Sequence, residues 1–390
     1  MNVSLRLGLF YFTYFAGLGV MLPWFNIYFE QMGLSAFQIG ILSAIVPAGK
    51  PLFSTLWTFR ADREGGRRGL TVTVCVLSAM ALLGFFPART FAGFVLASVA
   101  LAIVDAARLP LVEATTMDLA RDGRVVYGRI RGWGSIGFIV SAMTIGWLLI
   151  DGPIRIVLYA AAVWAALNAV ASTGLPRVPH EPGGARTTLR AALGRPGVAL
   201  FLSGCLLMQA SHGAYYAFFS IHMRRNGHAS ASIGTLWALG VLAEVLVMFF
   251  PRIVTARLAP SAMMTLCAVL AAARWGMLAW SAESAIVAPA QVLHAFTFAA
   301  FHIAAVSLTH QLFPADLRAS GQALFAGLTY GLGTVAGTFV SGALFDRVGP
   351  WRTFAASSLI ALAAAGMIFA SDKFRRGTRR PSGFGASPEV

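Results

Sequence analysis

Residues 16–44, AGLGVMLPWFNIYFEQMGLSAFQIGILSA, align with residues 210–238, ASHGAYYAFFSIHMRRNGHASASIGTLWA, at a constant offset of 194 positions. Ala16 falls on Ala210, Gly19 on Gly213, Phe25 on Phe219, Ile27 on Ile221, Gly33 on Gly227, Ile39 on Ile233, Gly40 on Gly234, Leu42 on Leu236 and Ala44 on Ala238. Nine identities in 29 positions exceed what this composition readily gives. Further along, Arg63 meets Arg257, Arg124 meets Arg318 and Gly137 meets Gly331 at the same offset, so the register survives through most of each half. The chain is therefore read as a duplicated unit, and the next question is the solvent for which that unit is built.

Of 390 residues, 57% are hydrophobic and 12% charged, and the mean hydropathy is +0.72. Soluble domains devote about 25% of their residues to charge. Apolar stretches long enough to cross a bilayer, roughly 20 residues each, recur at 5–29, 36–59, 69–88, 91–119, 126–150, 154–174, 198–222, 229–251, 258–281, 285–312, 318–345 and 351–371. The first is longer than a signal-peptide core and lacks a clean small-residue cleavage site, so it is read as retained. An even number of spans separates each repeat pair, which makes the repeat parallel. The expected fold is an all-α membrane protein of 12 transmembrane helices in two parallel-repeat six-helix bundles. The Pro, Gly and Arg content of 174–196 marks a solvated linker. The expected organisation is thus 1–174 as an N-terminal bundle, 175–197 as a cytoplasmic linker, 198–371 as a C-terminal bundle and 372–390 as a basic cytoplasmic tail.

A formal net charge of +15 invites a nucleic-acid reading, but its distribution argues otherwise. Between the spans and at their ends, one side carries twenty-one Lys and Arg, among them Arg60, Arg63, Arg67, Arg68, Arg131 and Arg318, and the other carries six: Arg89, Arg155, Arg224, Arg225, Arg347 and Arg352. That is the positive-inside bias, and it places both termini in the cytoplasm of a bacterial inner membrane. Attraction to anionic lipid accounts for the basic loops, so the partners are a bilayer and a small molecule, with no nucleic acid and a monomer as the working unit. Cys75, Cys205 and Cys267 lie in separate spans without metal-ligand spacing and are read as packing residues.

The loop after the second span, Arg60-Ala61-Asp62-Arg63-Glu64-Gly65-Gly66-Arg67-Arg68, resembles the Asp-Arg…Gly-Arg-Arg motif of the major facilitator superfamily, with one residue inserted and Thr58 where a Gly is usual. The resemblance implies a gate-latching role for Asp62, Arg63 and Arg67, against the plainer reading of a positive-inside loop. Pro314, Arg318 and Gly321 look like its degenerate counterpart in the second half. The runs Gln209–Tyr216, Ser232–Glu244, Arg274-Trp275-Gly276 and Gln291–His294 with His302, together with Tyr11–Phe15 and Tyr127–Ser135, resemble the 3-phenylpropionate permease family, which is similar to lactose permease in overall plan. The resemblance implies proton-coupled uptake of an aromatic carboxylate.

Charge at mid-bilayer is unfavourable by roughly 2.5 to 3.5 kcal/mol per residue and marks candidate functional sites. Six such residues stand out: Lys50 between Pro47 and Pro51, then Asp105, Arg108, Glu113, Glu244 and Arg274. Three bases against three acids sum to zero. Asp105 and Arg108, at i and i+3, can pair on one helix face. At the repeat offset Lys50 falls on Glu244, which suggests opposite charges facing each other across a cavity between the halves; the alternative is a structural ion pair that orients helices. His294 and His302 are candidates for a titrating partner, with His212 a weaker one. Tyr216 and Trp237 are candidate ring-binding walls, if they are not simply core.

In the expected mechanism a substrate carboxylate pairs with Arg274 or Lys50 while Glu244, helped by His294 or His302, takes up the symported proton. Proton-coupled export of drugs or sugars, or symport of a sugar or nucleoside, are the rivals. The chain has no HExxH, no GxSxG and no Gly-rich phosphate loop, so an enzyme is not expected. No cofactor is expected beyond the coupling ion, read as the proton with sodium as the alternative.

Overall fold

In the computed structural model, the described residues are 2–63, 67–177, 197–250, 258–313 and 317–377. The expected linker and tail lie mostly outside them. The elements are helical throughout: α1 Val3–Gln31, α2 Ala36–Arg63, α3 Arg67–Leu83, α4 Phe91–Asp105, α5 Arg108–Arg121, α6 Tyr127–Leu148 and α7 Ile156–Thr173, then α8 Val198–Ser211, α9 Gly213–Arg225, α10 Ser230–Phe249, α11 Pro260–Trp280, α12 Ser284–Val292, α13 Phe301–Leu312, α14 Arg318–Ala326 and α15 Thr334–Gly377. Two π-helical turns, Ala295–Ala300 and Gly327–Gly333, join α12 to α13 and α14 to α15.

Nine stretches among the described residues are long and apolar enough to cross a membrane. One of them, Gly321–Arg375, holds two spans, bent where Gly349 adopts φ +85° and Pro350 follows. With α3 and α6 this makes the twelve spans expected. The departures are local. The fourth span breaks at 106–107 between α4 and α5, and the seventh breaks at His212 between α8 and α9. Starts follow ordinary chemistry: the Asn2 side chain accepts the Ser4 N–H, the Thr90 hydroxyl accepts the Gly93 N–H, and Pro260 opens α11 where its missing N–H is harmless.

Among the helices before residue 178, α1 packs on α6 and α7, α2 on α4, and α3 on α7. Among those after 197, α15 packs on α8 and α11, and α10 on the first π turn. The two sets meet where α6 crosses α10, α2 crosses α15 and α1 meets α9. These crossings are close at the end carrying the turns 32–35 and 226–229, here called the far end because Val3, where α1 begins, and Gly377, where α15 ends, belong to the other. A Cβ built on Gly40 would stand 2.9 Å from Gly342 Cα, and one on its repeat mate Gly234 would stand 2.6 Å from the Ala142 carbonyl oxygen. Both positions therefore require glycine for backbone-to-backbone approach.

The far end is also joined by polar contacts. Glu30 accepts from Arg224 Nη2 at 2.5 Å and from Arg225 Nε at 2.8 Å, and Asp346 accepts the Phe37 N–H at 3.3 Å. Glu30 and Arg224 are themselves 194 residues apart, equivalent positions of the repeat meeting with opposite charge. Deeper in, Asn26 donates to the carbonyls of Tyr216 and Ala217 at 3.3 and 2.9 Å and accepts from Ser43 at 3.1 Å.

Candidate functional site

Enclosed by these crossings is a cavity of about 400 Å³, within the range of small-molecule sites. Its first-half wall includes Tyr14, Phe15, Lys50, Asp105, Arg108 and Arg131; its second-half wall is Gln209, Tyr216, Tyr330, Thr334 and Thr338. The helix break positions one charged pair: Asp105 ends α4, Arg108 opens α5, and Arg108 Nη2 meets Asp105 Oδ1 at 2.7 Å. The Arg108 guanidinium also lies 4.6 Å from the centre of the Tyr14 ring.

Arg131, one turn into α6, lies 3.9 Å over the Phe15 ring on the same wall. In the charge bias Arg131 counts with the basic cytoplasmic side, although it falls inside the 126–150 span. That position was the signal. Its presence changes the charge balance. On the cavity wall Lys50, Arg108 and Arg131 are three bases against one acid, Asp105. Glu113 lies behind the wall, within electrostatic reach of Arg131 and Lys50 and beside Tyr127.

The second half holds a buried relay that does not line the cavity. Arg274, fully buried, donates to Thr297 Oγ1 at 3.1 Å and Gln291 Oε1 at 3.1 Å, and its Nη1 lies 3.0 Å from His294 Nδ1. The faces of Tyr215 and Trp275 stand 4.3 and 4.5 Å from the guanidinium. A guanidinium only donates, so Nδ1 of His294 must accept and the ring proton of the neutral imidazole sits on Nε2. That Nε2 stands 3.7 Å from Glu244 Oε2. The result is a chain Arg274–His294–Glu244, and Glu244 lies within electrostatic reach of Tyr216, Tyr330 and, across the interface, Arg131.

Several expected placements differ. Lys50 lines the cavity but forms no ion pair with Glu244 among the described residues; repeat equivalence puts the two at matching heights, while local register turns Glu244 toward His294. Arg274 and His294 lie behind the cavity wall. His302 also stands behind it, its Nδ1 2.7 Å from the Tyr330 hydroxyl, so it shares no cluster with His294. His212 is bonded through Nδ1 to the Met208 carbonyl at 2.9 Å and wedged against Trp275. Of the two ring-wall candidates, Tyr216 lines the cavity, whereas Trp237 is core, donating to Ser220 Oγ at 2.8 Å and packing on Tyr215. Tyr14, Phe15 and Gln209, which line the cavity, fall within the family-like runs Tyr11–Phe15 and Gln209–Tyr216, and Tyr330 joins them without a sequence signal beyond its ring and hydroxyl.

For the loop motif, Asp62 and Arg63 end α2 with side chains outside the described residues. Arg67 opens α3 and pairs with Asp118 of α5 at 2.5 Å, and Asp118 also meets Arg121 at 3.6 Å. Arg68 donates to the Thr173 carbonyl, tying the same end of α3 to α7. Of the second-half counterpart, Pro314 lies outside the described residues and Arg318 opens α14.

A family model described as the MFS_1 like family matches residues 4–356. Among curated proteins, the chain is 26% identical over 306 residues to the probable 3-phenylpropionic acid transporter of Escherichia coli (strain K12), covering 77% of this chain and 80% of that one. It is also 26% identical over 344 residues to the maltose permease of Geobacillus stearothermophilus, covering 87% of each. Among solved structures, a mutant of the nucleoside transporter NupG superposes with a TM-score of 0.86 at 17% identity, over 95% of this chain and 100% of that one.

Proposed function

The chain belongs to the MFS_1-like family of major facilitator transporters, and from that premise we propose that it is a proton-coupled symporter that takes up a small aromatic carboxylate such as 3-phenylpropionate. The observation that carries the reading is the charge of the cavity wall: Lys50, Arg108 and Arg131 stand against Asp105 alone, which Arg108 already engages. A carboxylate answers that positive excess; a neutral substrate does not. The ring would lie among Tyr14, Phe15 and Tyr216, and the carboxylate against Arg131 and Lys50. The printed name of the Escherichia coli relative agrees with this class.

Glu244 is the proposed proton acceptor. His294 is fixed by Arg274 as a neutral ring whose Nε2–H faces Glu244, so it steadies the carboxylate without itself needing to ionise. Protonation of Glu244 removes a buried charge within reach of Arg131, freeing that guanidinium to be neutralised by substrate. Only such differences between the inward-open and outward-open states can drive alternation. Both termini are proposed to face the cytoplasm, in a bacterial inner membrane, with the far end outward, a reading that the bias of basic residues supports. Two six-helix bundles within one chain suffice for the cavity, so the monomer is the working unit.

The test is uptake of labelled 3-phenylpropionate into proteoliposomes carrying an inward-directed proton gradient. Accumulation should collapse with a protonophore, and Glu244→Gln should abolish gradient-driven accumulation while preserving exchange of labelled for unlabelled substrate. Full pH-driven accumulation by Glu244→Gln would falsify the proton role. A second reading, symport of a sugar or nucleoside, is favoured by the uncharged second-half wall of Gln209, Thr334 and Thr338; accumulation of maltose or a nucleoside, unaffected by aromatic acids, would establish it instead.

A further inference from the structure

The second-half wall has a hydrogen-bonding capacity that a plain phenyl ring cannot use. Tyr330 stands in the middle of the π turn Gly327–Gly333, a geometry that recurs at functional sites. The other π turn, Ala295–Ala300, faces it through Phe298, whose ring centre is 6.2 Å from that of Tyr330. Behind Tyr330 and off the cavity, His302 holds the phenol oxygen at 2.7 Å through Nδ1. A phenol has one donor and two acceptor positions, and one histidine nitrogen takes up only one of the three. Beside it, Gln209 Nε2 donates to Thr334 Oγ1 at 3.1 Å, and the Thr338 hydroxyl turns back to the Thr334 carbonyl at 2.9 Å. The wall presents polar atoms and no charge, whereas the cations all stand on the other half.

Polar groups that line a small cavity within a bilayer are costly unless a ligand or water meets them. The geometry points to a substrate with two polar ends: we propose that it is an aromatic carboxylate bearing a ring hydroxyl, with the carboxylate on the first-half cations and the hydroxyl on Tyr330. Tyr330 is then a specificity-determining residue and His302 its positioning residue, which fixes the phenol's rotamer and decides which lone pair or proton is left for the substrate. This rests on the carboxylate reading above and adds the second polar end.

The experiment compares, in proteoliposomes of the full chain, the KM for 3-(4-hydroxyphenyl)propionate with that for 3-phenylpropionate. A site built to bond a hydroxyl discriminates strongly against the analogue that lacks it, so the wild-type protein should prefer the phenolic acid by about tenfold or more. Tyr330→Phe should erase most of that preference, raising the KM for the phenolic acid several-fold more than that for the plain acid. His302→Leu should weaken the preference through KM with the maximal rate for the plain acid retained, and His302→Gln, which can still bond the phenol, should restore part of it. Equal KM values in the wild-type protein, which need no variant to measure, or a Tyr330→Phe effect that is the same for both acids, would overturn the proposal. Transport of neither acid with transport of a neutral sugar or nucleoside would instead sink the carboxylate reading on which it rests.

Discussion

Arg131 decides more of the chemistry than any other single side chain, because it stands on the cavity wall with both Glu113 and, across the interface, Glu244 within its electrostatic reach. Its guanidinium lies over the Phe15 ring at 3.9 Å, and its planar fork can offer a carboxylate two parallel donors where an ammonium is a point charge. Arg131→Gln should raise the KM for the carboxylate by about tenfold to a hundredfold, the scale of a lost charge-assisted hydrogen bond, and Arg131→Lys should recover only part of the loss; competition by unlabelled acid measures both. The buried relay gives a stability prediction. Removing one of the three acceptors of Arg274 leaves a buried guanidinium short of a partner, so His294→Leu should lower the melting temperature in detergent, with a cost of about 1 to 3 kcal/mol for a buried donor left unsatisfied. Adding Arg274→Met should return most of that stability without returning transport. These residues were legible one by one, since each charge in an apolar span stands out. Of their pairings only that of Asp105 with Arg108 was legible, from its i, i+3 spacing. Lys50 and Glu244 share a repeat position, but which neighbour a side chain meets depends on rotation about its helix, and α2 carries Pro47 and Pro51 around Lys50 where α10 carries no proline.

At the scale of elements, the glycines of the crossing helices set how closely the two halves can approach. Gly40 and Gly234 were visible as repeat mates, and their shared purpose appears only when their partners are seen: Gly342 for one and Ala142 for the other. No periodicity in a single chain names the residue on the opposite helix. The breaks and π turns were equally hidden, because a hydropathy stretch reports length and polarity and is blind to one residue more or less per turn. Gly40→Val should hold α2 away from α15 and keep the far end from sealing. A cysteine introduced by Ser43→Cys, on the cavity wall just inside the seal, then provides the readout. Its labelling by a membrane-impermeant maleimide added from outside should rise several-fold in the Gly40→Val background, and Cys75, Cys205 and Cys267 are buried and should stay silent. Unchanged labelling with unchanged uptake would mean that the backbone contact is not needed for closure.

The molecule as a whole is a two-fold design read along the membrane normal, and that much was plain in the 194-residue register and the twelve apolar stretches. The same symmetry gives the far-end clasp its logic. Equivalent residues of a parallel repeat approach each other only near the pseudo-two-fold axis, and identical residues there would repel if charged. Glu30 and Arg224 break the identity at one such position, and Arg225 adds a second bond to the same carboxylate. Partly exposed ion pairs contribute about 1 kcal/mol or less each, so the clasp is weak enough to open in every transport cycle yet able to shift the balance of states several-fold. Glu30→Gln should therefore favour the far-end-open state: labelling of Ser43→Cys from outside should rise several-fold, and uptake should slow because return to the closed state is less favoured. Reversing the charges with Glu30→Arg, Arg224→Glu and Arg225→Glu together should bring labelling and uptake back toward the parent values, whereas Glu30→Arg alone should give the largest opening, since three like charges then crowd the axis. If the triple reversal behaves like Glu30→Arg alone, attraction between the halves is not what closes this end, and the glycine crossings must do so unaided.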